Sequence, residues 1–175
     1  MPAWLLTWTT YGTWLPGDPR GSVTRVRDGN HPRKKHNAPG TPYDGPMFGL
    51  QAAAQAALKG PPIYLNRRHA DRLAAQFAET AAFRGWRLLA LAVMANHVHL
   101  VTAADESVDP ADMLRGFKSY GSRALNARCA RPKSGTWWTA SASRRLLPDE
   151  RAVLAAIRYV REQPGALVVR VEPPA

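Results

Sequence analysis

The sequence predicts an α+β fold of the ferredoxin-like type: an antiparallel sheet with helices on one face, plus an added C-terminal helix that carries a tyrosine. Three observations lead there. The elements run strand, helix, strand, strand, helix, strand, which is the split βαβ order. The apolar run Leu91 to Val101 reads as a hairpin turning at Ala95-Asn96, with His97 and His99 opening its second strand. Pro148-Asp149-Glu150 then begins one helix more than that order requires.

Trp4 to Tyr11 is rich in aromatic and β-branched residues, with Trp4, Leu6 and Trp8 on one side, and is the first strand. Gly12 to Gly21 must turn, because Pro and Gly punctuate it. Within it Trp14 and Arg20 are candidates to touch a base and a phosphate, although packing at the core edge is the first reading for Trp14. From Ser22 to about Pro62 runs a basic, Pro-rich insertion with Arg33, Lys34 and Lys35 at its centre. It reads as a solvated loop or as a phosphate-binding arm, with a short helix over Gln51 to Leu58.

About Arg67 to Phe83 is helical, with Leu73, Ala74, Phe77 and Ala81 forming its apolar stripe before Gly85 stops it. Trp86 to Val93 is a buried strand that pairs with His97 to Thr102. Asp109-Pro110 caps and starts a helix running to about Arg128. Its face of Met113, Phe117, Tyr120 and Ala124 should meet the sheet, while Arg115, Lys118, Arg123 and Arg128 place charge elsewhere. Gly135 to Thr139 reads as the fourth strand, sending one of Trp137 and Trp138 to each side. The last helix has acids at its start and Arg158 and Arg161 near its end, where the helix dipole favours them. Pro164-Gly165 stops it and leaves Ala166 to Val171 as a final strand.

The 175 residues suit one domain spanning 1-175, with the insertion at about 22-62. Twenty-four Lys plus Arg against thirteen Asp plus Glu give +11, which points to a polyanionic partner, nucleic acid first and an anionic membrane surface second. No apolar stretch is long enough to span a bilayer and the N-terminus lacks a signal pattern, so a cytoplasmic protein is expected. The single cysteine, Cys129, excludes an intramolecular disulfide and a thiolate zinc cluster.

Residues two apart in a strand share a face, so His97 and His99 present adjacent imidazoles. On a central third strand, that face is open to the added helix. On that helix Tyr159 and Gln163, four apart, project together beside the stripe of Val153, Ile157 and Val160. A tyrosine can attack phosphorus, and a glutamine carbonyl can complete a hard-cation site begun by two imidazoles. Taken singly, these read first as a core histidine pair and as a helix-anchoring tyrosine with a surface glutamine; their conjunction with the element order favours chemistry. A hydrolytic metal enzyme would want a further nearby acid or histidine, which Leu100 to Ala104 does not bring. An RNA-binding module on this fold would want aromatic residues on the strand that bears His97, and it has none.

Met94-Ala-Asn-His-Val-His-Leu100 resembles the HUH motif of single-tyrosine transposases acting on single-stranded DNA, including the REP-associated tyrosine transposases. Tyr159-x-x-x-Gln163 resembles their tyrosine helix, and Gln163-Pro164 stands where that family often has Asn-Pro. The resemblance spans the first strand and roughly residues 67 to 170, and the insertion departs from it. It implies a metal-dependent endonuclease and strand-transferase, with Tyr159 as nucleophile forming a 5′-phosphotyrosine. It further implies that His97, His99 and Gln163 bind Mg²⁺ or Mn²⁺, and that the partner is single-stranded or hairpin DNA rather than a membrane. Arg20, Arg33, Lys34, Lys35, Arg115, Lys118 and Arg123 are the expected phosphate contacts, with Trp14 and Trp138 stacking bases. The pattern is compatible with a monomer or a homodimer. A catalytically inactive, domesticated DNA-binding relative is the second reading; HUH replication initiators and relaxases are usually larger and order their motifs differently.

Overall fold

A computed structural model describes residues 1–21 and 44–172. Its elements are β1 (Ala3–Thr9), α1 (Phe48–Ala56), α2 (Arg67–Arg84), β2 (Arg87–Val93), β3 (His97–Ala103), α3 (Pro110–Asn126), β4 (Ser143–Leu147), α4 (Glu150–Arg161) and β5 (Val168–Val171). The strands form one antiparallel sheet in the order β4-β1-β3-β2-β5, so β3 is central and β1 and β2 flank it as the split βαβ order requires.

Local chemistry sets the helix ends. Asn66 accepts from the His69 amide while the His69 ring accepts from the Asn66 amide, a reciprocal cap that starts α2, and Gly85 ends it at φ 69°, where a side chain would be strained. Asp109 caps α3 and Asp149 caps α4, each accepting a backbone N–H at 2.7 Å.

Period-two alternation divides the sheet into two unlike faces. Trp8, Leu6, Val98, Leu100, Leu91 and Val93 point to the side covered by α2 and α3, where they pack with Leu73, Phe77, Met113, Phe117 and Trp86. Rings meeting edge-on knit this core: Trp8 with Phe77, Phe77 with Phe117, and Trp8 with Trp138. Gly121 lets α3 come close, since a Cβ there would stand 2.9 Å from the Phe77 ring. On the opposite side, small residues of the sheet (Ala3, Ala90, Ala92, Ala103) with Met94 and Val101 pack against Ala156 and Val160 of α4.

Three expectations need correction. The fourth strand is Ser143–Leu147, not Gly135 to Thr139; the latter makes only one isolated bridge, Thr10 to Trp138. The two tryptophans do not face opposite ways either. Both are buried in the core under α2 and α3, where Trp137 donates to the Asn126 side chain and Trp138 to the Lys118 carbonyl. Aromatic content marked a core plug here rather than a strand. Tyr120 also differs: it is half-buried beneath the Arg123 guanidinium, while Met113, Phe117, Gly121 and Leu125 make the buried face of α3.

The second half of the insertion folds back on the turn after β1. Met47 N–H donates to the Gly17 carbonyl, Lys59 N–H to the Tyr11 hydroxyl, and Ile63 N–H to the Tyr11 carbonyl. No residue of α1 is buried.

Candidate active site

The site grows from the alternation in β1 and β3. Odd-numbered residues of both strands point toward α4, which brings Thr7, Thr9, His97 and His99 to one patch: Thr7 pairs with His99 and Thr9 with His97. The two imidazoles meet edge to face with centroids 4.7 Å apart. Across them lies α4, whose apolar stripe seats it on the alanine-rich strands. Tyr159 stands at the stripe's margin, and its ring reaches His99 at a centroid distance of 5.2 Å while remaining 49% exposed. A buried imidazole and a solvent-facing phenol thus meet at the rim of the helix.

Burial controls the charge of the pair. Desolvation pulls the His97 pKa below its usual value, and burial followed by repulsion from His97 lowers His99 to about 4. Both rings are therefore neutral near pH 7, the form that binds a metal. Each has one nitrogen engaged: His97 Nδ1 with Asn96 Oδ1 at 2.6 Å, and His99 Nδ1 with Thr7 Oγ1 at 2.8 Å. Nε2 of each ring lies outside these bonds. This donor set fits a hard or borderline divalent cation that takes its remaining ligands from oxygen. Among the described residues, no three His, Cys, Asp or Glu side chains group as a metal site, so those oxygens have to come from an amide, water or a phosphate.

Gln163 sits one residue beyond the cap of α4. Its amide nitrogen donates to the Tyr159 carbonyl at 3.1 Å, satisfying a last-turn acceptor and leaving the amide oxygen outside that bond. His97, His99 and Tyr159 are thus brought together, with Gln163 tied to the tyrosine's own backbone. Tyr120 is on α3, which packs on the other side of the sheet.

The expected nucleic-acid contacts scatter. Arg33, Lys34 and Lys35 lie outside the described residues. Arg20 closes on the Asp18 carboxylate at 2.6 Å, donates to the Thr13 carbonyl and covers the Trp14 ring, whose N–H is held by the Gly21 carbonyl. Arg115 pairs with Asp112, and Lys118 donates to the Thr139 and Ala140 carbonyls, its pKa lowered by burial. Trp138, only 4% exposed, has no free ring face for a base, which corrects its assignment as a stacking residue. Arg123 is exposed apart from its contact with Tyr120.

Sequence reasoning missed Thr7 and Asn96, which stand beside the histidines, and did not place Arg151 and Arg158 together on the exposed outer line of α4. Alternation from Leu6 could have placed Thr7 on the histidine face. The heptad spacing of the two arginines could have placed them opposite the apolar stripe.

The family described as "Transposase IS200 like" matches residues 62–163, more than half of the chain and the part that holds α2, β2, β3, α3, β4 and α4. The chain belongs to this IS200-like transposase family, a family of DNA-processing enzymes. Among solved structures, it is similar to a REP-associated tyrosine transposase bound to a REP hairpin, at 12% identity and a TM-score of 0.46, covering 91% of this chain and 64% of that one. It is also similar to a Deinococcus radiodurans R1 protein assigned as a transposase, at 17% identity and a TM-score of 0.44, covering 91% of this chain and 88% of that one. The chain spans under two thirds of the length of the first of these. No curated protein matches it. Among the described residues, no helix is long and apolar enough to cross a membrane.

Proposed function

We propose that this chain is a single-tyrosine nuclease and strand-transferase acting on single-stranded DNA beside a hairpin. The observation that carries the reading is the contact of Tyr159 with His99, itself edge to face with His97, between two elements far apart in sequence, on the sheet face built mainly from small apolar residues.

In this reading the Tyr159 oxygen attacks a DNA phosphorus in line with the 3′ oxygen. The O–P bond to tyrosine forms as the P–O3′ bond breaks. The phenol gives up its proton and the departing 3′ oxygen gains one, leaving a 5′-phosphotyrosine and a free 3′ hydroxyl. Rejoining reverses these steps with another strand's 3′ hydroxyl, which is strand transfer. Exposure of the Tyr159 ring lets a backbone phosphate approach from solvent. His97 and His99, held neutral by burial, with the Gln163 amide oxygen, would hold one Mg²⁺ or Mn²⁺. When bound, that cation polarises a phosphate oxygen and helps stabilise the leaving group. Three neutral ligands hold a hard cation weakly, so DNA phosphate is expected to complete the shell and tighten it.

Phosphate contacts are assigned to Arg151 and Arg158, exposed on α4 and without an ion pair among the described residues, together with Arg123 and the basic Arg33, Lys34 and Lys35 segment. Arg151 lies in the first turn of α4, where the helix dipole disfavours a cation, so helix stability does not account for it.

The test is a denaturing gel of the protein incubated with labelled hairpin DNA carrying a single-stranded flank, with Mg²⁺ or Mn²⁺. Label retained on the protein is the expected result. Tight binding without any adduct or cleavage would instead indicate an inactive DNA-binding relative.

A further inference from the structure

The two histidines at the site each have a partner that holds a particular ring nitrogen, and those partners are themselves fixed. Asn96 Oδ1 lies 2.6 Å from His97 Nδ1. With its oxygen toward the ring, the amide accepts, which places the hydrogen on Nδ1 and leaves the lone pair on Nε2. The backbone that carries Asn96 is held in place, because its carbonyl accepts from the Thr10 N–H at 2.9 Å, the Thr10 hydroxyl at 3.0 Å and the Thr13 hydroxyl at 3.2 Å. Next to it, the Ala95 carbonyl accepts from the Leu65 N–H at 2.6 Å. The β2–β3 turn is therefore bolted to the turn after β1 and to the segment leading into α2.

Thr7 reaches His99 Nδ1 at 2.8 Å from the neighbouring strand, directly opposite in the ladder. A hydroxyl can accept the Nδ1 hydrogen or donate to a bare Nδ1, and only the first leaves Nε2 free to bind a cation. The distinction matters because a free neutral imidazole in water favours its hydrogen on Nε2, the wrong nitrogen for ligation through that atom. A protein that binds through Nε2 has to supply an acceptor at Nδ1.

We propose that Thr7 and Asn96 are positioning residues that hold His99 and His97 in the Nδ1–H tautomer, so that both Nε2 atoms are ready for one divalent cation before it arrives. The inference rests on the metal site of the proposed function and adds the two residues that orient its ligands. Thr10 and Thr13 act one step further out, by fixing the turn that carries Asn96.

The test reads the apo protein first. Long-range ¹H–¹⁵N NMR of the metal-free, ¹⁵N-labelled chain near neutral pH should show both rings as Nδ1–H tautomers. In Thr7→Val and Asn96→Ala the corresponding ring should shift toward Nε2–H, and Mn²⁺ affinity measured by calorimetry should fall about 10–100-fold, the usual cost of losing an outer-sphere partner. Thr7→Ser, which keeps the hydroxyl, should retain both properties, and an unchanged amide fingerprint would show that the variants fold. An Nε2–H tautomer in the wild type, or variants with unaltered tautomer and Mn²⁺ affinity, would overturn the proposal. Nδ1–H rings that respond to the substitutions in a protein with no Mn²⁺ affinity would support the positioning role and overturn the metal site instead.

Discussion

The two faces of the sheet are made from alternate residues of the same strands, yet they differ in almost every physical respect. Toward α2 and α3, β1 sends Trp8 and Leu6 and β3 sends Val98 and Leu100, into a core of interlocking rings. Toward α4, the same strands send Thr7 and Thr9, His97 and His99, and the surrounding strands offer alanines. Large apolar side chains stabilise by burying area, and they leave no room for a substrate. Small and polar ones contribute less stability, but they let a helix lie close and leave a phenol at its rim. Parity along each strand thus sends the large apolar side chains to one face and the polar residues of the candidate site to the other. A substitution should therefore read out differently according to which face it touches.

The largest expected contrast is between Tyr159→Phe and Tyr120→Phe. The first removes only the attacking oxygen and should abolish the covalent DNA adduct while leaving folding and hairpin binding intact. The second changes a half-buried ring on the far side of the sheet and should leave adduct formation at the wild-type level. A gel shift alongside the denaturing gel separates binding from cleavage.

On the packed face, Phe117→Ala should cost about 3–5 kcal/mol of unfolding free energy, because a fully buried ring packed on Phe77 and Trp86 leaves a cavity that its neighbours cannot close. Urea denaturation measures it. A cost below about 1 kcal/mol would mean that this core is looser than its ring packing indicates.

On the site face, burial of neutral His99 couples stability to pH. The folded imidazole resists protonation down to about 4, whereas the unfolded one titrates near 6.5. Between these values the unfolded state binds the extra proton. Stability is thus fully present above the unfolded value and declines as pH falls toward the folded one, by roughly 3 kcal/mol at most. His97, also lowered, adds to the decline in the same direction. Denaturation of metal-free protein across this range should show the loss, and His99→Gln should flatten it; an unchanged slope in that variant would assign the effect elsewhere.

The smallest expected effect is electrostatic. Arg158→Gln should lower the slope of log affinity against log salt for single-stranded DNA by about 0.7, the value expected when one phosphate is no longer neutralised, with no change in folding. An unaltered slope would remove Arg158 from the DNA path.

Much of this division was legible in the sequence because it follows from alternation and capping. Trp4-Leu-Leu-Thr-Trp8, His97-Val-His99 and the Asp109-Pro110 start all behave as local rules require, and the tyrosine helix covers the histidine face as the element order implies. β4 was not legible. Ser143–Leu147 buries only Leu147, so it carries no apolar alternation, and it pairs on one side only, as the outermost strand of the sheet. The nearby Trp137 and Trp138 have the stronger strand propensity, but tertiary packing claims them for the core. Thr7 escaped notice as a site residue because its partner is 92 positions away and only the strand register joins them. Lys118 and Arg20 looked like free cations because nothing in their local sequence reveals the carbonyls and the carboxylate that hold them.

The central claim is that chemistry belongs to the α4 face, with Tyr159 as its nucleophile. It is tested most directly by trapping the covalent complex with single-stranded hairpin DNA, digesting it, and locating the nucleotide-bearing peptide by mass spectrometry. The account predicts a phosphotyrosyl linkage at Tyr159 and nowhere else. A linkage at Tyr120, or an undiminished adduct in Tyr159→Phe, would contradict it.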